Sequence, residues 1–268
     1  MYETFGFIGA GNMGGALARA AAKAVAPEKI TLADQMTEKA EALASQLGCK
    51  TADTAAVAAN CDFIFLGVKP QVMGSMLHEI APVLAGRKAG FVLVSMAAGV
   101  SICEIRAMAG GDYPVIRIMP NIPASVGGGV ILYDTTENVT QEAVACFCEA
   151  MGHAGLVDRL PEKLIDAGSA LSGCGPAFVS LFVEALADGA VACGLPRDKA
   201  LAYAAQTVAG SATMLLETGM HPAVLKDAVC SPGGTTIMGV HALEQGGFRA
   251  AATDAVLSAY RRTLELGK

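Results

Sequence analysis

The N-terminal part of the chain alternates short apolar runs with alanine-rich segments of helical periodicity. The short runs are rich in Val, Ile, Leu and Phe and are bounded by Gly, Pro or polar residues, which is the pattern of strands. Strands that alternate with helices predict βαβ units and a parallel sheet covered by helices on both faces. The predicted strands are Thr4–Ile8, Lys29–Ala33, Asp62–Val68, Gly90–Val94, Val115–Met119 and Val130–Leu132.

Two of these strands are predicted to lie in the middle of the sheet. Residues 63–68 and 91–94 contain no polar side chain, as expected of strands that are covered on both faces. After Pro161 the strand pattern stops, and Ala- and Leu-rich helical periodicity continues to the C-terminus. The predicted fold class is therefore α/β, with a sheet domain at residues 1–160 followed by an all-α domain at residues 161–268.

The helical half has two interruptions and little polar surface. Gly194-Leu195-Pro196 and Gly219-Met220-His221-Pro222 each separate two predicted helices. Segments such as Val208–Leu216 carry too few polar residues for a solvated outer face. We therefore expect an obligate homo-oligomer, formed through the helical half.

Composition and charge argue against several classes of protein. The net charge is −6 and no cluster of Lys or Arg is present, which argues against nucleic-acid binding. The most apolar stretch, Ala177–Leu195, is interrupted by Glu184 and Asp188, so we expect no transmembrane helix. The residues after Met1 lack the pattern of a signal peptide, which predicts a cytoplasmic protein. The Cys and His residues lack metal-ligand spacing, so we expect reduced thiols and no metal site.

A glycine-rich motif follows the first predicted strand and begins a helix. The motif is Gly9-Ala10-Gly11-Asn12-Met13-Gly14. Its first glycine permits a tight turn, its second lets the backbone approach a pyrophosphate, and its third packs helix against strand. The helix N-terminus adds amides and a positive dipole. This context predicts that the first domain is a Rossmann domain that binds a nicotinamide dinucleotide.

Asp34 ends the second predicted strand. A carboxylate at this place accepts a hydrogen bond from the adenosine ribose 2′-hydroxyl and repels a 2′-phosphate, which favours NAD over NADP. The alternative is that Asp34 caps a helix beginning near Thr37.

Two further loops follow strands at the edge where open α/β sheets bind ligands. One contains Val68, Lys69 and Pro70, and the other contains Asn121 between two prolines. Lys69 is a candidate proton donor or a ligand of the ribose. Asn121 offers a donor and an acceptor to a carboxamide or to the substrate. We predict that these four residues contribute to the cofactor site.

The helical half contains a candidate anion site, Ser231-Pro232-Gly233-Gly234-Thr235-Thr236. It lies between a helix ending near Cys230 and another starting near Thr235. Two glycines free the backbone, so the amides and hydroxyls at the helix N-terminus can hold a carboxylate. The alternative is a turn between helices with a Ser or Thr cap.

The sequence resembles pyrroline-5-carboxylate reductase over its whole length, in a set of matching motifs. The motifs are Gly6-Phe7-Ile8-Gly9-Ala10-Gly11-Asn12-Met13-Gly14, Val68-Lys69-Pro70-Gln71, Met119-Pro120-Asn121-Ile122-Pro123-Ala124, Ser172-Gly173-Cys174-Gly175-Pro176-Ala177, Leu225-Lys226-Asp227 and Ser231-Pro232-Gly233-Gly234-Thr235-Thr236. Two positions depart from the family's pattern: Cys174 stands where Ser is common, and Ala33-Asp34-Gln35 lacks the Arg that often binds the 2′-phosphate.

The resemblance implies reduction of 1-pyrroline-5-carboxylate to L-proline, the last step of proline biosynthesis, with NADPH or NADH. It also implies homodimers with intertwined helical domains, often gathered into decamers. Carried over by position, Ser231, Gly233, Gly234, Thr235 and Thr236 hold the substrate carboxylate, and the Thr236 hydroxyl hydrogen-bonds the ring nitrogen. Because a protonated imine is already electrophilic, alignment against the nicotinamide is the main catalytic requirement. Thr236 is expected to act as an orienting donor or as a relay of a proton from water.

Two other functions fit part of the pattern. A β-hydroxyacid dehydrogenase has the same Rossmann start, but it needs a Lys where this chain has Val179. A non-catalytic NAD(P) sensor would bind the dinucleotide without turnover and leaves Ser231–Thr236 unexplained.

Overall fold

The computed structural model describes residues 2–88 and 90–266. Contacts divide the chain into two compact units, residues 1–173 with 260–268, and residues 174–259. The boundary predicted after residue 160 follows the change from strands to helices, and as a domain boundary it stays a prediction.

The first unit contains one eight-stranded sheet, in the order β3-β2-β1-β4-β5-β6-β7-β8. Each of the predicted strands overlaps an observed one, and the two apolar ones, β4 and β5, are central as predicted. The pattern missed β3, which is two exposed residues long, and β8, whose side chains are only partly buried. The strands are β1 (Phe5–Ile8), β2 (Ile30–Ala33), β3 (Lys50–Thr51), β4 (Phe63–Leu66), β5 (Val92–Ser95), β6 (Val115–Met119), β7 (Gly129–Thr135) and β8 (Gly155–Arg159).

Helices connect most of the strands and continue to the end of the described chain. Those of the sheet-containing part are α1 (Asn12–Ala24), α2 (Thr37–Leu47), α3 (Thr54–Asn60), α4 (Pro70–Gly86), α5 (Ile102–Ala109), α6 (Gln141–Gly152) and α7 (Glu162–Ser172). The later helices are α8 (Gly175–Ala192), α9 (Arg197–Thr218), α10 (Pro222–Val229), α11 (Thr235–Gln245) and α12 (Phe248–Leu266). The predicted interruptions at 194–196 and 219–222 fall between these helices, as expected.

The expectation of a wholly parallel sheet is wrong at one edge. β1 to β6 are parallel, but β7 runs antiparallel to β6, and β8 is parallel to β7. A parallel connection requires a crossover, usually a helix of a dozen or more residues. Residues 120–128 between β6 and β7 contain only the short 3₁₀ helix Ile122–Val126, so the chain turns back beside β6. The fold is therefore a mostly parallel Rossmann-like sheet followed by helices.

Two apolar cores cover the two faces of the sheet. Successive residues of β4 point to opposite faces, so Phe63 and Phe65 join one core while Ile64 and Leu66 join the other. The first core includes α1, α2 and α6, and the second includes α3, α4 and α5. All four of these β4 side chains are fully buried. The sheet is thus a rigid platform for the loops at its carboxyl edge.

The strand order reverses between β1 and β4, where ligands of open α/β sheets bind. Ile8 pairs with Leu66, so both strands end at the same level. The loops that follow them therefore start side by side.

In the second unit, α8 and α9 pack through small side chains. Ala187, Ala200 and Ala204 are buried between them, with Val183 and Leu195 at the margin. Many large apolar side chains of this unit are exposed within the single chain, among them Leu181, Leu216 and Met238. One helical segment of the described chain, Glu162–Ala192, is long and apolar enough to cross a membrane by length and composition alone.

Candidate dinucleotide and substrate sites

The glycine-rich loop after β1 is shaped by close backbone contacts. Gly9 has φ +106°, and a Cβ on it would lie 2.6 Å from the Gly67 carbonyl oxygen. A Cβ on Gly14 would lie 2.0 Å from the Gly9 carbonyl oxygen. These two positions therefore require glycine because the loop folds tightly against the start of α1 and against the loop after β4.

Gly11 differs from both, because a Cβ there would meet open space among the described residues. Packing within the chain therefore does not require glycine at this position, whereas the close approach of a pyrophosphate does. Gly11 is the N-cap of α1, so the amides of Asn12 and Met13 at the first turn point toward the same space. A cavity of about 410 Å³ opens beside this loop. The loop thus fits a pyrophosphate.

The Asp34 carboxylate is held at the end of β2 by two backbone amides. One of its oxygens accepts from Ala10 N at 2.7 Å, and the other accepts from Met36 N at 2.9 Å. Asp34 is not the N-cap of α2, since that position is Met36. The alternative capping role does not fit this geometry. The carboxylate instead joins the end of β2 to the glycine-rich loop, and its predicted contact with a ribose stays a prediction.

The loop after β4 lies beside the glycine-rich loop. Gly67 N donates to Ile8 O at 2.8 Å, which joins the two strand ends. Val68 is half-buried against the second core, while Lys69 and Pro70 are exposed. Lys69 is the N-cap of α4 and Pro70 its first residue. The structure therefore places these predicted cofactor residues at the predicted edge, next to Gly9.

Asn121 lies at the same edge, but its side chain is already engaged. It is 7% exposed, donates from Nδ2 to Ser172 O at 2.8 Å and accepts at Oδ1 from Val130 N at 2.8 Å. Sequence analysis assigned this donor and acceptor to a carboxamide or substrate. The structure uses both for the backbone of α7 and β7 instead, and a contact between Asn121 and the cofactor stays a prediction.

A polar cluster that was not predicted from the sequence holds α7 on the sheet. Arg117 of β6 is buried and forms ion pairs of 3.1 Å with both Glu162 and Asp166 of α7. Glu162 Oε1 also accepts from Ile102 N at 2.7 Å, and the Asp134 carboxylate of β7 accepts from Glu162 N at 2.7 Å. Two signals could have revealed the cluster: an arginine inside an apolar strand and carboxylates four residues apart on a helix.

The predicted substrate loop is a tight turn between α10 and α11. Gly233 has φ +67°, and Gly234 N donates to Ser231 O at 3.0 Å. A Cβ on Gly234 would lie 2.3 Å from Ser231 Oγ, so a larger residue there would displace the serine hydroxyl. Gly234 is the N-cap of α11 and has no side chain to accept from the first amides of the helix. The amides and hydroxyls of Thr235 and Thr236 are consequently available to an anion.

The charged groups of α10 bring no net charge next to this turn. Lys226 pairs with Asp227, and this hydrogen bond raises the pKa of the lysine amine. Within residues 2–88 and 90–266, no group of three or more His, Cys, Asp or Glu side chains could hold a metal ion. An anion at this turn would meet amides, hydroxyls and the positive end of the helix dipole.

The structure thus groups the predicted residues by unit. Gly9, Asp34, Lys69 and Asn121 lie at the carboxyl edge of the sheet in the first unit. Ser231 through Thr236 form one turn in the second unit. Their individual functional roles stay predictions.

Comparison with known proteins places the chain in a family. Residues 162–266 match the family described as pyrroline-5-carboxylate reductase dimerisation, and residues 4–99 match the family described as NADP oxidoreductase coenzyme F420-dependent. A curated pyrroline-5-carboxylate reductase of Methanosarcina acetivorans is 42% identical over 99% of this chain and 98% of its own. The resemblance found from the motifs is therefore confirmed across both halves of the chain.

Solved structures agree with the sequence comparison. A pyrroline-5-carboxylate reductase from Coxiella burnetii has a TM-score of 0.92 and 32% identity, covering 100% of both chains. A pyrroline carboxylate reductase from Plasmodium falciparum, solved with NADP bound, has a TM-score of 0.86 and 31% identity, covering 99% of this chain and 98% of its own. The chain therefore belongs to the pyrroline-5-carboxylate reductase family.

Proposed function

We propose that the chain reduces 1-pyrroline-5-carboxylate to L-proline with NADPH or NADH, the last step of proline biosynthesis. The observation that carries the proposal is the Ser231–Thr236 turn. It offers amides, hydroxyls and a helix N-terminus to a small carboxylate, in a chain whose other unit has a loop fitted to a dinucleotide pyrophosphate. A sensor that only binds a dinucleotide has no use for such a turn.

The dinucleotide occupies the edge of the sheet after β1, β2 and β4. The amides around Gly11 hold the pyrophosphate, and Gly9 and Gly14 keep the loop in shape. Asp34 approaches the adenosine ribose, and Val68, Lys69 and Pro70 line the other side. The bound cofactor supplies a hydride from the nicotinamide.

Ser231, Gly233, Gly234, Thr235 and Thr236 hold the carboxylate of the substrate. With its carboxylate fixed, the ring can place its C=N carbon against the nicotinamide, and alignment alone removes much of the barrier. Hydride addition to the carbon of a protonated C=N bond gives the secondary amine directly, with the nitrogen proton retained. Thr236 orients that nitrogen, because its hydroxyl oxygen accepts a hydrogen bond from the iminium N–H. The hydroxyl is too weak an acid to deliver a proton by itself.

The exposed apolar side chains of the second unit form a homodimer interface. Leu181, Leu216 and Met238 are 68%, 83% and 64% exposed within a single chain, which is unfavourable in water. A second copy of the chain covers them and also accounts for the apolar segment 162–192 without a membrane. Assembly of these dimers into a decamer follows the family resemblance. The lack of a cluster of Lys or Arg supports a protein that acts without nucleic acid. We propose that it acts in the cytoplasm.

The test is oxidation of NADPH and of NADH by the purified protein, with and without 1-pyrroline-5-carboxylate. We expect imine-dependent oxidation, with kcat reduced about tenfold or more in Thr236→Val, since each tenfold corresponds to about 1.4 kcal/mol of lost transition-state stabilisation. Thr236→Ser keeps the hydroxyl and serves as the matched control, which should retain most of the activity. Binding of both cofactors without imine-dependent oxidation would refute the proposal and favour a sensor.

A further inference from the structure

The boundary between α7 and α8 leaves one carbonyl group without its helical donor. In a continuous α-helix, the carbonyl of Ser172 accepts from the amide of the residue four positions later. That residue is Pro176, which has no N–H. Gly173 and Cys174 both have right-handed helical dihedral angles, so the backbone keeps a helical course up to the break. Ser172 O is therefore orphaned by the proline.

The Asn121 side chain supplies the missing donor. Its Nδ2 donates to Ser172 O at 2.8 Å, while its Oδ1 accepts from Val130 N at 2.8 Å. Both partners are backbone groups of fixed polarity, so only one orientation of the amide satisfies them. Because Asn121 is 7% exposed, water has little access to replace either bond. An aspartate of the same shape would lack the donor that Ser172 O needs.

The rest of α7 is fixed to the sheet as well. Asp134 accepts from its first amide, and Arg117 pairs with Glu162 and Asp166 along its length. A Cβ on Gly168 would lie 2.4 Å from a methyl group of Leu132, which shows how closely α7 packs on β7. The Asn121 bond lies in the last turn, just before the chain leaves the first unit at residue 173.

We propose that Asn121 is a positioning residue that completes the helix break made by Pro176 and so fixes the last turn of α7 on the sheet. In this role its side chain does not bind the carboxamide of the dinucleotide. Two motifs that are far apart in the sequence, Met119–Ala124 and Ser172–Ala177, then act together at one helix boundary. Pro176 removes a backbone donor and Asn121 replaces it. The expected effect on catalysis, though not that on folding, rests on the proposed reductase function.

The test is a double-mutant cycle on the full chain with Asn121→Ala, Pro176→Ala and the double variant. Asn121→Ala leaves Ser172 O unpaired. We expect an about tenfold loss in kcat and an about tenfold or larger loss in the folding equilibrium constant measured in urea. In the double variant the alanine that replaces the proline has an N–H that can bond Ser172 O. We therefore expect Asn121→Ala to cost clearly less when it is made in Pro176→Ala than when it is made in the wild type, a non-additivity typical of residues that share one partner. The cost that remains reflects Val130 N, which still loses its acceptor.

Dinucleotide binding without the imine separates this role from a ligand role. The Kd for NADPH, measured by the fluorescence of NADPH, should change less than about twofold in Asn121→Ala. A residue that only fixes the end of α7 does not hold the cofactor. Asn121→Asp should lower kcat at least as much as Asn121→Ala. Aspartate has the shape of asparagine but no N–H to donate to Ser172 O. A tenfold weaker Kd for NADPH would instead identify Asn121 as a dinucleotide ligand.

Unfolding in urea tests the role of Asn121 even if the chain catalyses a different reaction. If the wild-type protein does not reduce the imine, the proposed function fails, but the cycle in urea still decides between coupling and additivity. Additive losses in the folding equilibrium constant, with no rescue by Pro176→Ala, would overturn the proposal. Coupled losses in folding together with unaltered kcat would overturn its positioning role.

Discussion

At the residue scale, the candidate cofactor site combines what the sequence could predict with what it could not. Gly9 and Gly14 were predictable because their roles depend on local backbone geometry, and the structure gives them a positive φ or a close backbone contact. Asn121 lies at the predicted edge of the sheet, but its side chain bonds two backbone groups that the sequence did not indicate, and its contact with the cofactor stays a prediction. Its partner on α7 is a backbone carbonyl 51 residues later, which no local pattern can reveal.

Asp34 is the residue that decides between the two cofactors in this account. Its charge lies at the end of β2, where a 2′-phosphate would approach it, so we expect the wild-type protein to favour NADH. An asparagine at this position would lose the charge but still offer an oxygen to Ala10 N. For Asp34→Asn we therefore expect the ratio of kcat/KM for NADPH to that for NADH to rise about tenfold, or about 1.4 kcal/mol.

Asp53→Asn is a suitable control, because Asp53 caps α3 by accepting from Ala56 N. This substitution also removes one negative charge, but at the start of α3. It should leave the ratio of kcat/KM for NADPH to that for NADH unchanged. An Asp34→Asn variant with the wild-type ratio would show that Asp34 serves only to hold the glycine-rich loop.

At the scale of elements, most of the fold followed from the periodicity of the chain. Continuous apolar runs correctly predicted the central strands β4 and β5, because burial on both faces leaves no polar position. The direction of β7 was mispredicted, since it depends on the short connection at residues 120–128. The attachment of α7 to the sheet was not predicted. Arg117 inside an apolar strand and two carboxylates four residues apart indicate a buried polar cluster, but the sequence does not show that these charges meet.

Arg117 is the centre of that attachment and should contribute measurably to stability. Its side chain is 7% exposed and holds two carboxylates of α7 that are about one-third exposed. For Arg117→Met we expect the free energy of unfolding in urea to fall by about 1–3 kcal/mol, less than for a fully buried pair because water can still reach both carboxylates.

Arg159→Met provides the comparison. Arg159 is 63% exposed and lies 3.6 Å from Asp134, so its loss should cost less than about 0.5 kcal/mol. Equal effects of the two substitutions on the free energy of unfolding would contradict the role assigned to Arg117.

At the scale of the whole molecule, the second unit lies within the region that matches a dimerisation family, and we propose that a second copy covers its exposed apolar side chains. We expect Leu181→Glu to dissociate the dimer, because it places a charge in an interface made of apolar side chains. Sedimentation equilibrium should then give the 27.2 kDa of one chain in place of a multiple of it. Leu156→Glu changes an exposed leucine of β8 in the first unit and should leave the mass unchanged. A dimer that survives Leu181→Glu and is lost in Leu156→Glu would place the interface elsewhere.

The central claim is hydride transfer from a nicotinamide to the imine carbon of 1-pyrroline-5-carboxylate. The most direct measurement uses NADPH and NADH deuterated at the transferable position of C4, followed by mass spectrometry of the product. We expect L-proline that carries one deuterium and forms in step with cofactor oxidation. Cofactor oxidation without labelled L-proline would contradict it.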